Sequence, residues 1–332
     1  MMNDLYRRDI LHAAEDADFL RGRRALITGA TGLLGSFLAE TMLAAGAQVI
    51  AAGRSEDRVR QRFGDRVTFA PYDAARPLQF DPDADFIVHA ACSAHPIAYA
   101  SDPVGIMQAN LLGVMNLLEA MRKRPETRLV FLSTGEIYGE NPDLPEGFSE
   151  GDHGYVDSMR PRSCYPESKR AAETLCACYA AQHGAQAVVA RLCHVYGPTF
   201  TASNSRADAQ FIRNALHGQD IVMKSTGAQV RSWCYVADAV RAILTLLHRG
   251  GAGQAYNVAN RNAVASIRQY AQTLADIAGV KLRFEIPPEA EAAGYTRVTR
   301  AVLNPAKLEA LGWRAEYDLE TGLRHTFLCA RE

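Results

Sequence analysis

Apolar and polar residues fall in blocks along this chain, and the period of the pattern changes from block to block. Arg24-Ala-Leu-Ile-Thr28 is a short apolar run with β-branched content, the signature of a strand buried in a parallel sheet. Similar runs recur at 48–52, 67–70, 85–90, 129–133 and 187–191. Residues 36–45 have helical spacing and stop at Gly46. The longest helical stretches, 107–122 and 167–183, carry more apolar surface than one sheet face needs, which makes them candidates for a subunit interface. Residues 1–20 are expected to form an amphipathic helix on the surface, with Leu5, Ile10, Leu11 and Ala14 on one face. The alternation predicts an α/β fold, a doubly wound parallel sheet. From Tyr196 onward the pattern loosens, and 197–205 and Pro287-Pro288 read as loops. This C-terminal region is expected to interleave with the last sheet strands and to cap the strand ends where such sheets bind ligands.

Between the first strand and its helix, Thr28-Gly-Ala-Thr-Gly-Leu-Leu-Gly35 inserts Gly29, Gly32 and Gly35, with Thr31, Leu33 and Leu34 around them. A strand, a glycine loop and a helix in that order aim backbone N–H groups and the positive helix end at a pyrophosphate. Missing side chains let the backbone come close. The second strand ends in Ala51-Ala-Gly-Arg54-Ser55. An NAD-selective site expects an acidic residue near Gly53 for the ribose hydroxyls, whereas Gly53 with Arg54 would tolerate the 2′-phosphate of NADP.

Composition narrows the classes. At 332 residues, 48% hydrophobic and 22% charged, the chain suits one large α/β domain or a nucleotide-binding domain with a smaller appendage. A net charge of −1 gives no reason to expect nucleic acid or an anionic membrane as partner. No apolar stretch is expected to approach a membrane span, and the first twenty residues are too polar for a signal peptide. Seven cysteines, odd in number and without a Cys-x-x-Cys pair, are expected as reduced thiols in a cytoplasmic enzyme. The histidines show no ligand spacing, so no metal is expected.

Tyr165 and Lys169 lie four apart at a helix start and therefore share a side, where the ammonium is expected to lower the phenol's pKa. A phenol of pKa ~10 is otherwise a poor base at neutral pH. Ser133-Thr-Gly-Glu-Ile-Tyr-Gly139 begins at a strand's C-terminal end, where α/β active sites form. Thr134 is placed to hydrogen-bond a substrate hydroxyl, and Glu136 to act as acid or base.

In this order, Thr28-to-Gly35, His89-Ala-Ala91, Asn110, Ser133-to-Gly139, Tyr165-to-Lys169, Val195-Tyr-Gly-Pro198, Arg231-Ser-Trp-Cys-Tyr-Val236 and Leu311-Gly-Trp313 make the chain resemble an extended short-chain dehydrogenase/reductase. The resemblance is to the NAD-dependent nucleotide-sugar epimerase, dehydratase and decarboxylase group, over essentially the whole length. Within it, Arg162-Ser-Cys-Tyr-Pro-Glu-Ser-Lys-Arg and Tyr99…Asp102-Pro103 are most similar to UDP-glucuronate decarboxylases (UDP-xylose synthases). The resemblance implies a Rossmann-like cofactor domain, mainly 1–195 with 1–20 as an extension. It implies a smaller nucleotide-sugar-binding region, mainly 196–332, from which roughly 231–260 return to the first. It assigns Ala90, Ala91, Asn110 and Asp73 to the cofactor, Asp73 at the adenine. Tyr99, Arg206, Gln210 and Arg231 go to the substrate, the last three to its diphosphate, for which guanidinium forks are chemically suited. Arg300 falls where the decarboxylases carry an arginine for the carboxylate. It also implies NAD as cofactor, with NADP the alternative that Arg54 admits, and a homodimer.

Two positions depart from the family. Gly135 stands where decarboxylases have serine and 4,6-dehydratases an aspartate, and His194 stands where asparagine usually precedes Tyr-Gly-Pro. Three activities remain open on these residues: UDP-glucuronate decarboxylation, 4-epimerisation and 4,6-dehydration of a nucleotide sugar. A fourth reading is a cofactor-binding regulatory protein without catalysis.

Overall fold

The six apolar runs become strands because helices cover both faces of the sheet they form. The computed structural model describes residues 3–92, 94–141, 144, 147–286 and 298–331, so the expected Pro287-Pro288 loop lies outside the described residues. In chain order the first half comprises α1 (Asp4–Ala13), β1 (Arg24–Thr28), α2 (Leu33–Ala44), β2 (Gln48–Gly53), α3 (Glu56–Phe63), β3 (Thr68–Pro71), β4 (Phe86–His89), α4 (Pro96–Ser101), α5 (Pro103–Met121), β5 (Arg128–Thr134), α6 (Cys164–His183) and β6 (Gln186–Leu192). The second half comprises β7 (His194–Tyr196), α7 (Ala207–Leu216), β8 (Ile221–Met223), β9 (Val230–Tyr235), α8 (Val236–Arg249), β10 (Ala255–Val258), β11 (Val264–Ser266), α9 (Ile267–Ala278), β12 (Leu282–Phe284), β13 (Arg300–Ala301), α10 (Ala306–Glu309) and α11 (Leu319–Ala330).

The large sheet has the order β10-β6-β5-β4-β1-β2-β3, and every pairing in it is parallel. The chain reverses direction of travel between β1 and β4, which opens a crevice at their carboxyl ends, the usual ligand position in such a sheet. A smaller sheet is centred on β9, which pairs in parallel with β7 and β13 and antiparallel with β11. After β9 the chain returns to the large sheet: α8 packs on β5 and β6, and β10 adds the seventh strand.

Helix starts lie earlier than periodicity alone indicates, because the caps precede the apolar stripe. Gly32 begins α2, Asp102 accepts the Gly105 N–H ahead of Pro103 in α5, and a 3-10 turn at Pro161–Ser163 leads into α6.

Two expectations need correction. The helix expected over 1–20 ends at Ala13, and its inward face is Tyr6, Asp9, Ile10 and Ala13; Leu11 is exposed, and Leu5 and Ala14 are only partly covered. The stripe i, i+3, i+4, i+7 starts at Tyr6, whose ring meets Phe37 edge-on at 5.4 Å. An apolar stretch of membrane-spanning length does exist: the 19-residue α5 passes by length and composition. In the fold it packs along α6, burying Asn110, Gly113, Val114, Leu117 and Leu118, while Val104 and Met107 stay exposed.

Candidate active site

Three parts of the chain meet at the crevice. The first is the turn from β1 into α2. Gly29 has φ +70°, and a Cβ there would lie 2.9 Å from the Ala90 carbonyl oxygen; a Cβ at Gly35 would lie 2.2 Å from the Gly29 oxygen. Both positions therefore admit only glycine, and the N-terminus of α2 is drawn tight against the turn. Gly32 caps that helix, with Thr31, Leu33 and Leu34 partly exposed beside it.

Thr28 Oγ1 accepts the Ala90 and Ala91 N–H groups, each at 3.1 Å, and so turns its own proton to buried His89 Nδ1 at 2.7 Å. Burial, reinforced by the charge of Lys169, brings His89 down to about 3, so the imidazole is neutral. Asn110 donates from Nδ2 to Ser168 Oγ at 2.9 Å, and its buried Oδ1 has no partner. A glycine cradle at a helix N-terminus and an orphan acceptor beside it fit a dinucleotide. At the far end Gly53 faces open space, and Arg54 is exposed with no hydrogen bond or ion pair to the described residues. Asp73 accepts the Ala75 N–H at 3.0 Å and pairs with Arg76 at 3.5 Å.

The second part joins β5 to α6. Tyr165, in the first turn of α6, is buried, and its ring stacks on Tyr99 of α4 at 4.8 Å. Lys169 lies one turn on, donates to the Leu132 carbonyl at 2.7 Å, and sits 5.9 Å from the Tyr165 ring. Burial lowers the pKa of Lys169. Burial also raises Tyr165 well above an ordinary phenol, with the Cys92 thiol and Glu136 adding to it; a hydrogen bond from Thr134 and the charge of Arg206 oppose this. Desolvation outweighs whatever lowering Lys169 brings to the phenol, and the ammonium itself is turned to a backbone carbonyl. Thr134 Oγ1 accepts the Glu136 N–H at 3.2 Å, and the Glu136 carboxylate pairs with Arg162 at 2.9 Å. A Cβ at Gly135 would meet Leu303 at 3.1 Å, so a side chain there would press on that leucine.

The third part is cationic. Arg206, ahead of α7, donates to the Val195 carbonyl at 2.9 Å and to Asp208 at 2.8 Å, and its buried Nε has no partner. Arg231 on β9 is buried, donates to the Val230 and Val298 carbonyls, and is lowered to about 10 by that burial. His194 is held neutral, at about 3, by burial and by Arg231 and Arg206.

The sequence candidates thus divide. Thr134, Glu136, Tyr165, Lys169, Tyr99, His194, Arg206 and Arg231 share one neighbourhood. Gln210 is exposed, with Arg213, Asn214 and His217, along an open groove of about 760 Å³ that includes Pro96 and Ile97 but not Tyr165. Arg300 is exposed as well: the register pairs it with Val230 and pairs Ala301 with Arg231, so Arg300 and Arg231 leave opposite faces of the small sheet. Arg162 and Cys92 were missed. The spacing of Arg162, three before Tyr165 at a helix start, was the available signal.

Residues 25–259 match the NAD dependent epimerase/dehydratase family. The chain belongs to this enzyme family. It is 32% identical to UDP-glucuronic acid decarboxylase 6 of Arabidopsis thaliana over 311 residues, covering 92% of this chain and 88% of that one. UDP-glucuronic acid decarboxylase 1 of Danio rerio is 30% identical over 309 residues, covering 92% and 72%. Among solved structures, UDP-glucose 4-epimerase of Thermus thermophilus in complex with NAD superposes with a TM-score of 0.79 at 29% identity, over 93% of this chain and 99% of that one. The dTDP-glucose 4,6-dehydratase DesIV of Streptomyces venezuelae shares the fold, with a TM-score of 0.79 at 24% identity and coverage of 93% and 97%.

Proposed function

We propose that this chain is a nucleotide-sugar enzyme that decarboxylates UDP-glucuronate, using NAD bound in the glycine cradle. The observation that carries the reading is the meeting of buried Tyr165 with Thr134 and Glu136 on one side and partly buried Arg206 and buried Arg231 on the other. The curated relatives named as UDP-glucuronic acid decarboxylases support the choice of substrate.

Gly29, Gly32 and Gly35 would admit the pyrophosphate to the N–H groups of α2, and Asn110 Oδ1 offers an acceptor nearby. When bound, NAD would supply reversible hydride chemistry at the sugar C4, so that the cycle would consume no cofactor. Tyr165 Oη takes the C4 hydroxyl proton and later gives it back. Thr134 hydrogen-bonds the same oxygen and favours the phenolate. Glu136 stands beside the C4–C5 region as acid or base. Arg206 and Arg231 hold the diphosphate by charge-assisted hydrogen bonds. Neutral His194 contacts the sugar without adding charge between the two arginines.

Mass spectrometry of a nucleotide-sugar panel tests this. UDP-glucuronate should give a product lighter by carbon dioxide, and Tyr165→Phe should cut turnover by about 10²–10⁴-fold while leaving the cofactor bound. A product of unchanged mass would mean epimerisation, and one lighter by water would mean dehydration; either replaces the decarboxylase reading. Near-wild-type turnover by Tyr165→Phe would remove the tyrosine from the mechanism.

A further inference from the structure

We infer that Arg162 is a positioning residue that holds Glu136 and Tyr165 in register with each other, a role that rests on the reading of those two groups as the proton-transfer pair. Its guanidinium centre lies 4.4 Å from the Tyr99 ring centre, and the Tyr99 ring in turn stacks on Tyr165 at 4.8 Å with an interplanar angle of 23°. The same guanidinium donates from Nη2 to Glu136 Oε2 at 2.9 Å. One guanidinium therefore lies over the aromatic stack and bonds the carboxylate with a single N–H, a pairing for which its delocalised, planar charge is suited and a compact ammonium is not.

The arrangement makes little sense as a stabilising contact. Both partners of the ion pair are well exposed, at 44% and 40%, and such pairs contribute only about 0–1 kcal/mol. Its effect is instead geometric. Glu136 follows the end of β5 on a 3-10 turn at Gly135–Tyr138, and its carboxylate has no other hydrogen bond among the described residues. Tyr99 belongs to the six-residue α4, and its ring is the face on which Tyr165 rests. Arg162 reaches both from the turn that starts α6, the helix that carries Tyr165 itself. The carboxylate, the stack and the tyrosine are thereby tied to one helix start. No cation other than Arg162 forms an ion pair with Glu136 among the described residues.

The test compares Arg162→Met and Arg162→Lys with wild type, on the nucleotide sugar that the panel shows to be converted. Because misplacing a reacting group by about 1 Å can cost 10²-fold, Arg162→Met should lose about 100-fold in kcat, with KM changed by less than about threefold. Arg162→Lys keeps the charge but not the plane and should recover only a minor part. The loss should shrink in a Glu136→Gln background, where the carboxylate to be positioned is already gone. In protein labelled with 3-fluorotyrosine, the fluorine resonances of Tyr99 and Tyr165, assigned by Phe substitution, should move in Arg162→Met without any turnover being needed. Wild-type kcat in Arg162→Met, a loss confined to KM, full rescue by lysine, or unmoved fluorine resonances would each overturn the role. An inactive Tyr165→Phe beside a normal Arg162→Met sinks this inference alone; an active Tyr165→Phe sinks the functional reading and the inference with it.

Discussion

A Cβ at Gly53 would meet nothing within 4 Å, and Arg54 beside it is exposed and unpaired with any described residue. The end of β2 therefore lacks the carboxylate that would hold a ribose diol, and it offers a cation that could hold a 2′-phosphate. The proposed redox-neutral cycle and the family, with its NAD-bound structures, both favour NAD. The expected outcome is that cofactor released by denaturing the purified protein weighs as NAD, and that Arg54→Ala leaves NAD affinity within about threefold while weakening NADP by about tenfold or more. A predominantly NADP occupant would reverse the assignment and make Arg54 the selecting residue. Single residues also show where sequence reading ran out. Gly135 is visible as a departure from the decarboxylases, but only the fold shows that Leu303, 168 positions later, lies where a side chain at 135 would reach. Lys169 is legible by its spacing from Tyr165, yet the carbonyl that captures its charge belongs to a different element.

At the scale of elements, six of the seven strands of the large sheet were legible to within one residue at each end, because a strand covered on both faces is apolar throughout and bounded by turns, whereas β10 and the short strands of the second half were given no bounds. The helix starts were not, since Gly32, Asp102 and Ser163 act through backbone geometry and caps. The inward face of α1 was misread for another reason: part of what anchors it is polar. Buried Asp9 accepts from Tyr235 Oη at 2.7 Å and from Tyr317 Oη at 3.1 Å, and meets His325 Nδ1 at 3.0 Å, so its partners lie in β9, before α11 and in α11. Periodicity within α1 carries no sign of groups so distant in sequence. Asp9→Ala should destabilise the protein by roughly 2–4 kcal/mol, because each tyrosine hydroxyl left buried without a partner costs about 1–3 kcal/mol. Denaturant unfolding reads the loss, and turnover per folded molecule should stay near wild type because none of the four groups lies at the crevice. An unchanged unfolding midpoint would mean that α1 is held by Tyr6 and Ile10 alone.

At the scale of the whole molecule, a second buried carboxylate joins a central helix to the C-terminal segment. Asp238, in the first turn of α8, accepts the Glu316 N–H at 3.0 and 3.1 Å and the Tyr317 N–H at 3.0 Å, while its own carbonyl accepts from Trp313 Nε1 at 3.1 Å. It thus ties the helix over β5 and β6 to the segment that precedes α11. Burial pushes Asp238 up to about 6 from 3.8; the two amides and Arg241, at 3.7 Å, only partly offset that, and Glu316 adds to it. A carboxyl raised on folding is protonated more readily in the folded chain than in the unfolded one, so its favourable contribution is present at low pH and is lost as pH rises through about 6. At 1.36 kcal/mol per pKa unit, the whole shift corresponds to about 3 kcal/mol, of which about 2 kcal/mol falls between pH 4 and 7. Asp238→Asn should remove that slope whatever its effect on absolute stability, so its stability relative to wild type should rise by about 2 kcal/mol from about pH 4 to about pH 7. The nearby His12–Glu316 pair, with the histidine raised and the carboxylate lowered, titrates in both proteins and largely drops out of the difference. Parallel stability curves for the two proteins, measured by urea unfolding across this range, would show that Asp238 is ionised at no cost and that its join to the C-terminal segment does not titrate.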